Sequence, residues 1–140
     1  MMEPYIHKIQ YYETDQMGIT HHSNYIRWME EARTDMLEKI GWGYDKMEAM
    51  GISSPVIGIS CDYKNTTTYG DRVSVRVSVE EYKGVHLVVR YEMHRLSDGK
   101  LALQGVSRHC FMTREGKFLR LAKAYPELDA ALKALAEKEE

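Results

Sequence analysis

The sequence predicts an α+β fold: a curved antiparallel sheet of about five strands wrapped on one long central helix. Three observations carry this. Tyr25, Met29, Ala32, Met36 and Ile40 recur at helical spacing, in a stripe widened by Ile26, Arg33 and Leu37. From Pro55 onward the apolar residues switch to period two. Glycine turns, above all Asp98-Gly99, separate the alternating runs and make neighbouring strands antiparallel.

In order, residues 5–12 (YIHKIQYY) read as a first strand, entered after Pro4. Residues 13–23 are polar and carry Gly18, so they form a loop, and Ser23 or Asn24 can cap the helix that follows. On that helix Glu30, Glu31, Asp35, Glu38 and Lys39 point mostly to solvent, and Gly41 and Gly43 stop it. Residues 44–50 suit a short second helix ended by Gly51. Ile57, Ile59, Cys61 and Tyr63 then alternate with Gly58, Ser60 and Asp62, followed by a β-prone polar run over 64–69. Val73, Val75, Val77 and Val79 alternate with Ser74, Arg76, Ser78 and Glu80, the clearest strand signal in the chain. After Lys83-Gly84, Val85, Leu87, Val89, Tyr91 and Met93 repeat the pattern. Residues 101–112 form the next strand, 114–117 a turn, and 118–121 a short edge strand. Pro126 opens a terminal helix over 127–140. No repeat or linker interrupts this order, so a single domain over 1–140 is expected.

Composition narrows the function classes. The chain has 140 residues, 44% hydrophobic and 29% charged, with a net charge of −2. That supports a packed globular chain, and without a basic surplus nucleic acid and anionic membranes are poor partners. No apolar run is long enough to span a bilayer, and Met1-Met2-Glu3-Pro4 lacks the features of a signal peptide. Cytoplasmic residence is expected, with Cys61 and Cys110 as reduced structural cysteines that lack metal-ligand spacing.

The most informative stretch runs from Tyr11 to Tyr25. A strand-like run ends in acidic residues; Gly18 turns the chain; His21 and His22 precede a polar helix start. A carboxylate is thereby set near a helix N-terminus, where backbone N–H groups lack partners. Asp15-x-x-Gly18-Ile19, with His22 and Asn24-Tyr25, together with the order of elements and the run from Tyr25 to Arg33, resembles the hotdog fold. The likeness is specifically to the 4-hydroxybenzoyl-CoA thioesterase family and its Tol-Pal-associated acyl-CoA thioesterase branch.

The resemblance implies a hydrolase of acyl-CoA thioesters without metal or redox cofactor. It implies a homodimer with sheets joined edge to edge, commonly paired again into a homotetramer, and sites at the dimer interface. It puts Asp15 at the catalytic carboxylate and His22 where a backbone N–H polarises the thioester carbonyl. Tyr11 or Tyr12 matches a tyrosine flanking the carboxylate. Gly18, Tyr25, Ile57, Ile59 and Lys83 are the substrate-binding candidates, with Trp28 and Met29 as further wall residues. Lys64, Arg72, Lys83, Arg90 and Arg108 are the cations available to CoA phosphates.

The chemistry leaves alternatives open. An ionised Asp15 can attack the carbonyl to give a mixed anhydride, or orient and activate water, or merely close a turn. His22 can act through its ring or its N–H. His21 is expected to be solvent-facing or structural, Ser23 and Asn24 to cap, and Glu30 and Glu31 to lie on a solvated face. No Gly-x-Ser-x-Gly elbow, phosphate-cradling loop or metal-ligand set is present. An acyl-carrier-protein thioesterase, a dehydratase or hydratase of the same fold, and a non-catalytic acyl- or CoA-binding module are the competing readings.

Overall fold

A computed structural model describes residues 3–138. The chain runs β1 (Tyr5–Lys8), a 3-10 turn (Tyr11–Glu13), α1 (Ser23–Lys39), α2 (Tyr44–Ala49), β2 (Val56–Tyr63), β3 (Arg72–Tyr82) and β4 (His86–Arg95). It ends with β5 (Leu101–Cys110), α3 (Leu121–Ala124) and α4 (Pro126–Lys138). The five strands form one antiparallel sheet in the order β1-β3-β4-β5-β2.

The period-two runs explain the core. Val73, Val75 and Val79, with Leu87, Val89, Tyr91, Met93 and Leu103, turn one face of the sheet toward Trp28, Met29, Ala32 and Met36 of α1. One helix residue reaches Gly105 of the sheet, where a Cβ would lie 3.2 Å from Met29 Cε and 3.3 Å from the Ser60 carbonyl oxygen. A side chain there would push these neighbours back by a few tenths of an ångström, so glycine suits the close approach. Leu121, Leu128 and Leu132 close the core where α4 packs against β3.

Three expectations need correction. The first strand ends at Lys8, and Tyr11–Glu13 curls into a 3-10 turn. Glu13 causes this: its buried carboxylate folds back onto the Gln10 N–H and leaves Tyr11 and Tyr12 in solvent. Residues 118–121 form no strand. Only Phe118 bridges Met112, and the Leu121 N–H bonds the Gly84 carbonyl as α3 begins. Residues 64–69 are irregular, and of 127–140 the last two lie outside the described residues.

Among the described residues the strand β2 pairs only with β5, and nothing pairs with its other edge. Its apolar residues are not sealed: Ile57 is 55% and Ile59 38% exposed, and Tyr63 is also open to solvent.

Candidate functional site

The loop after the 3-10 turn folds onto itself. Thr14 and Thr20 form an isolated bridge, the Asp15 N–H donates to the Ile19 carbonyl at 2.9 Å, and the Gly18 N–H donates to the Asp15 carbonyl at 2.9 Å. Gly18 sits at φ +81°, a left-handed conformation that side-chain-bearing residues rarely adopt. The loop is tied to the segment after β2 by the Thr20 N–H on the Thr67 carbonyl and the Thr68 hydroxyl on the Gly18 carbonyl. Asp15 is half-buried, and its Oδ1 accepts the Met17 N–H at 2.8 Å. The turn-closing role is therefore present, but it uses one oxygen; Oδ2 has no partner among the described residues.

The start of α1 lies beside this loop. His22 occupies the N-cap with φ −58° and ψ −25°, and no side chain caps in the usual way. Ser23 and Asn24 are engaged differently from the expectation. The Ser23 N–H donates to the His21 ring Nδ1 at 3.2 Å, so a histidine takes the capping part. Asn24 turns inward and donates from Nδ2 to the Glu13 carbonyl at 2.9 Å. The His22 N–H has no partner among the described residues. It is a free donor at the positive end of a 17-residue helix. The His22 ring is exposed and stacks on His21, with centroids 4.3 Å apart.

These two features border a pocket of about 190 Å³ lined by Ile19, His22, Tyr25, Tyr63, Lys64 and Thr66, among others. Its floor is aromatic: Tyr25 meets Tyr63 edge-on at 5.5 Å and Trp28 at 4.9 Å. The Tyr25 hydroxyl is fixed to Thr67 Oγ1 at 2.9 Å, and burial pushes its pKa up, so it stays neutral. Asp15 does not line the pocket; it reaches it through its hydrogen bond to Ile19.

The structure thus gathers Asp15, Gly18, His22 and Tyr25 at one end of the sheet. Tyr11 lies outside the pocket: it is 76% exposed, with its ring edge-on to Tyr69 at 5.7 Å. Lys83 sits at the β3–β4 turn and pairs with Glu81 at 2.8 Å. The length of β3, roughly 33 Å at strand rise, separates it from the Asp15 loop of its own chain. Ile57 and Ile59 lie on the open edge strand. Among the cations, Lys64 lines the pocket and has no acidic partner among the described residues, whereas Arg90 is held by Glu80 at 2.6 Å. Sequence reasoning does not single out Ile19, Tyr63, Asn65 or Thr66 as a pocket lining, nor Glu13 as more than a loop residue. The acidic residue following two tyrosines is the available signal for Glu13.

Among the described residues no group of three His, Cys, Asp or Glu side chains is arranged to hold a metal, and no helix is long and apolar enough to cross a membrane.

Comparison with known proteins identifies the family. Residues 9–133 match the family model described as the thioesterase-like superfamily. A Bacillus subtilis (strain 168) protein named "Putative acyl-CoA thioesterase YneP" is 36% identical over 125 residues, covering 89% of this chain and 90% of the relative. The crystal structure of a DHNA-CoA thioesterase from Staphylococcus aureus superposes with a TM-score of 0.90 at 32% identity, over 99% of this chain and 95% of that one. The 4-hydroxybenzoyl-CoA thioesterase of Pseudomonas sp. (strain CBS-3) is 23% identical over 81% of this chain and 84% of its own length. The five-stranded sheet on its central helix is the hotdog fold. The chain belongs to the thioesterase-like superfamily.

Proposed function

We propose that this protein hydrolyses acyl-CoA thioesters to the free acid and CoA, as one catalytic domain over residues 1–140, in the cytoplasm and without a cofactor. The observation that carries the reading is the unpartnered His22 N–H at the start of α1, beside an aromatic pocket and one loop away from Asp15.

Thioester cleavage needs an acceptor for the charge that builds on the carbonyl oxygen. A backbone N–H fixed at a helix start meets that need without reorganising, and one such donor is typically worth about 10²–10³ in rate. Asp15 supplies the carboxylate. Either Oδ2 attacks the carbonyl carbon, expels CoA thiolate and leaves a mixed anhydride for water to open, or the carboxylate takes the proton of an attacking water. Lys64 at the pocket rim is a cation for the negatively charged end of the substrate.

The site is completed by a second copy. The open β2 edge with exposed Ile57 and Ile59 calls for a strand to cover it. Antiparallel pairing of β2 with its symmetry mate reverses the partner's sheet. The partner's Ile57, the partner's Ile59 and the partner's Lys83 then approach this chain's Asp15 end, which its own Lys83 does not reach. A homodimer, paired further into a homotetramer, is the proposed assembly.

The test is thiol release across aliphatic and aromatic acyl-CoAs. Saturable turnover of at least one thioester supports the reading. Tight CoA binding with no turnover across the panel replaces it with a binding module, and turnover of acyl-carrier-protein thioesters alone moves the substrate to the carrier protein.

A further inference from the structure

We infer that Glu13 is a positioning residue for the reacting carboxylate: it clamps the Asp15 loop to the start of α1 through both its side chain and its main chain. This rests on the reading of Asp15 given above and adds a residue that the superfamily likeness did not assign.

Glu13 is 4% exposed, unusual for a carboxylate with no full-time cation beside it. Its oxygens are fully engaged. Oε1 accepts the Gln10 N–H at 2.8 Å and lies 2.8 Å from His7 Nε2. Oε2 accepts the Trp28 indole N–H at 2.7 Å, and Trp28 is fully buried in α1. Burial by itself raises the Glu13 pKa. The hydrogen bonds from Gln10, His7 and Trp28 outweigh it and hold the group below the usual carboxylate range.

The main chain of Glu13 works in the same direction. Its carbonyl accepts the His21 N–H at 2.8 Å and the Asn24 side chain at 2.9 Å. One residue therefore ties the front of the loop to a helix side chain and the back of the loop to the first residues of that helix. Residues 14–20, with Asp15, span the gap between those ties. The separation of Asp15 from the His22 N–H is set by this clamp and by the Thr14–Thr20 bridge.

Chemistry makes the ionised carboxylate necessary. The Gln10 N–H and the indole N–H can only donate, and each faces a different oxygen. Glutamine has one oxygen. In either amide orientation its NH₂ confronts an N–H, and one side of the clamp opens. A residue two positions from Asp15 then shifts, and displacement of a reacting group by about 1 Å typically costs up to 10² in rate.

The experiment compares the parent, Glu13→Gln, Asp15→Asn and the double variant. kcat and KM are read with the best acyl-CoA substrate below each variant's melting temperature. Glu13→Gln is expected to lower kcat by about 10–100-fold with KM within about twofold. In the Asp15→Asn background the same change should have no further effect. A purely structural role predicts instead a lower melting temperature in both backgrounds with kcat per folded molecule unchanged, and that result overturns the inference. Should the Asp15→Asn rate be too slow to read, the split between kcat and KM in the Asp15 background decides. Trp28→Phe removes one donor and keeps an aromatic ring. If Glu13→Gln does not fold, a several-fold fall in kcat at constant KM in Trp28→Phe supports the clamp, and a parent-like kcat refutes it. An Asp15→Asn enzyme as fast as the parent defeats the reading of Asp15 itself, and the inference with it. A slow Asp15→Asn beside a parent-like Glu13→Gln defeats only the inference.

Discussion

Lowering the pH from 7 to 4 bears on one buried side chain that does not line the pocket at the start of α1. His109 on β5 has no solvent exposure. Its Nε2 lies 2.7 Å from Ser107 Oγ, which is 2.6 Å from the Tyr91 hydroxyl. Arg33 of α1 completes the network, donating to Tyr91 at 2.9 Å and to Tyr44 at 2.8 Å. Among the described residues no group comes within good hydrogen-bond geometry of the His109 Nδ1, and only the Ser54 backbone lies near enough to favour its protonated form. Burial, then the Arg33 cation, push its pKa from 6.5 down to about 4, against a small opposing contribution from the Ser54 backbone. The unfolded chain therefore binds a proton below pH 6.5 that the folded chain refuses until about pH 4. Stability is complete above the unfolded pKa and falls with pH through that window. At about 1.4 kcal/mol per pH unit, the full loss is about 3 kcal/mol. For a chain of this size that is on the order of 10 °C in melting temperature. Denaturant titrations at half-unit pH steps measure it, with His109→Gln as the reference; Gln keeps a polar partner for Ser107 but does not titrate. Subtracting the variant removes the acid loss of carboxylates held below their usual range, such as Glu13 and Asp129. Parent and variant curves that run parallel between pH 6.5 and 4, or a parent that gains on the variant as pH falls, would contradict a buried neutral His109.

Other outcomes follow from the site and the edge strand. His22→Ala keeps the backbone N–H and should hold kcat within about threefold, whereas His22→Pro removes the donor at a φ of −58° that proline accepts. It should lower kcat by about 10²–10³, and equal rates for the two would end the oxyanion role of that N–H. Ile59→Lys places a charge on the open face of β2. Sedimentation should show monomers with thiol release largely lost, and an active monomer would remove the second copy from the site.

The parts of the fold legible in sequence are those where one residue pattern has one consequence. Val73 to Val79 have the core on one face and water on the other, so alternation alone sets their inner side. The α1 stripe is legible for the same reason, with two exceptions that packing explains. Trp28 is fully buried because its indole N–H is drawn to Glu13, and Ile26 is 40% exposed on the open side of the helix. Arg33 on the apolar stripe is satisfied by two tyrosine hydroxyls from α2 and β4, which spacing along α1 cannot reveal. The alternation of β2 is legible, but not its openness, since strand order comes from long-range pairing. The Asp15 loop and the helix start are neighbours in sequence, which makes them visible. The pocket is not, because Tyr63 and Thr67 join Tyr25 and Thr20 across some forty residues of chain.

Asp15 is proposed to perform the cleavage. The direct measurement is kcat for thiol release from a good acyl-CoA substrate by Asp15→Asn, with CoA affinity and melting temperature measured alongside. The amide that replaces the carboxylate retains a carbonyl oxygen for the Met17 N–H, so the turn should survive. The expected result is a parent-like melting temperature, CoA affinity within about twofold, and kcat lower by about 10³ or more, the scale seen when a catalytic group is removed. Turnover by Asp15→Asn as fast as by the parent would show that Asp15 only closes its turn.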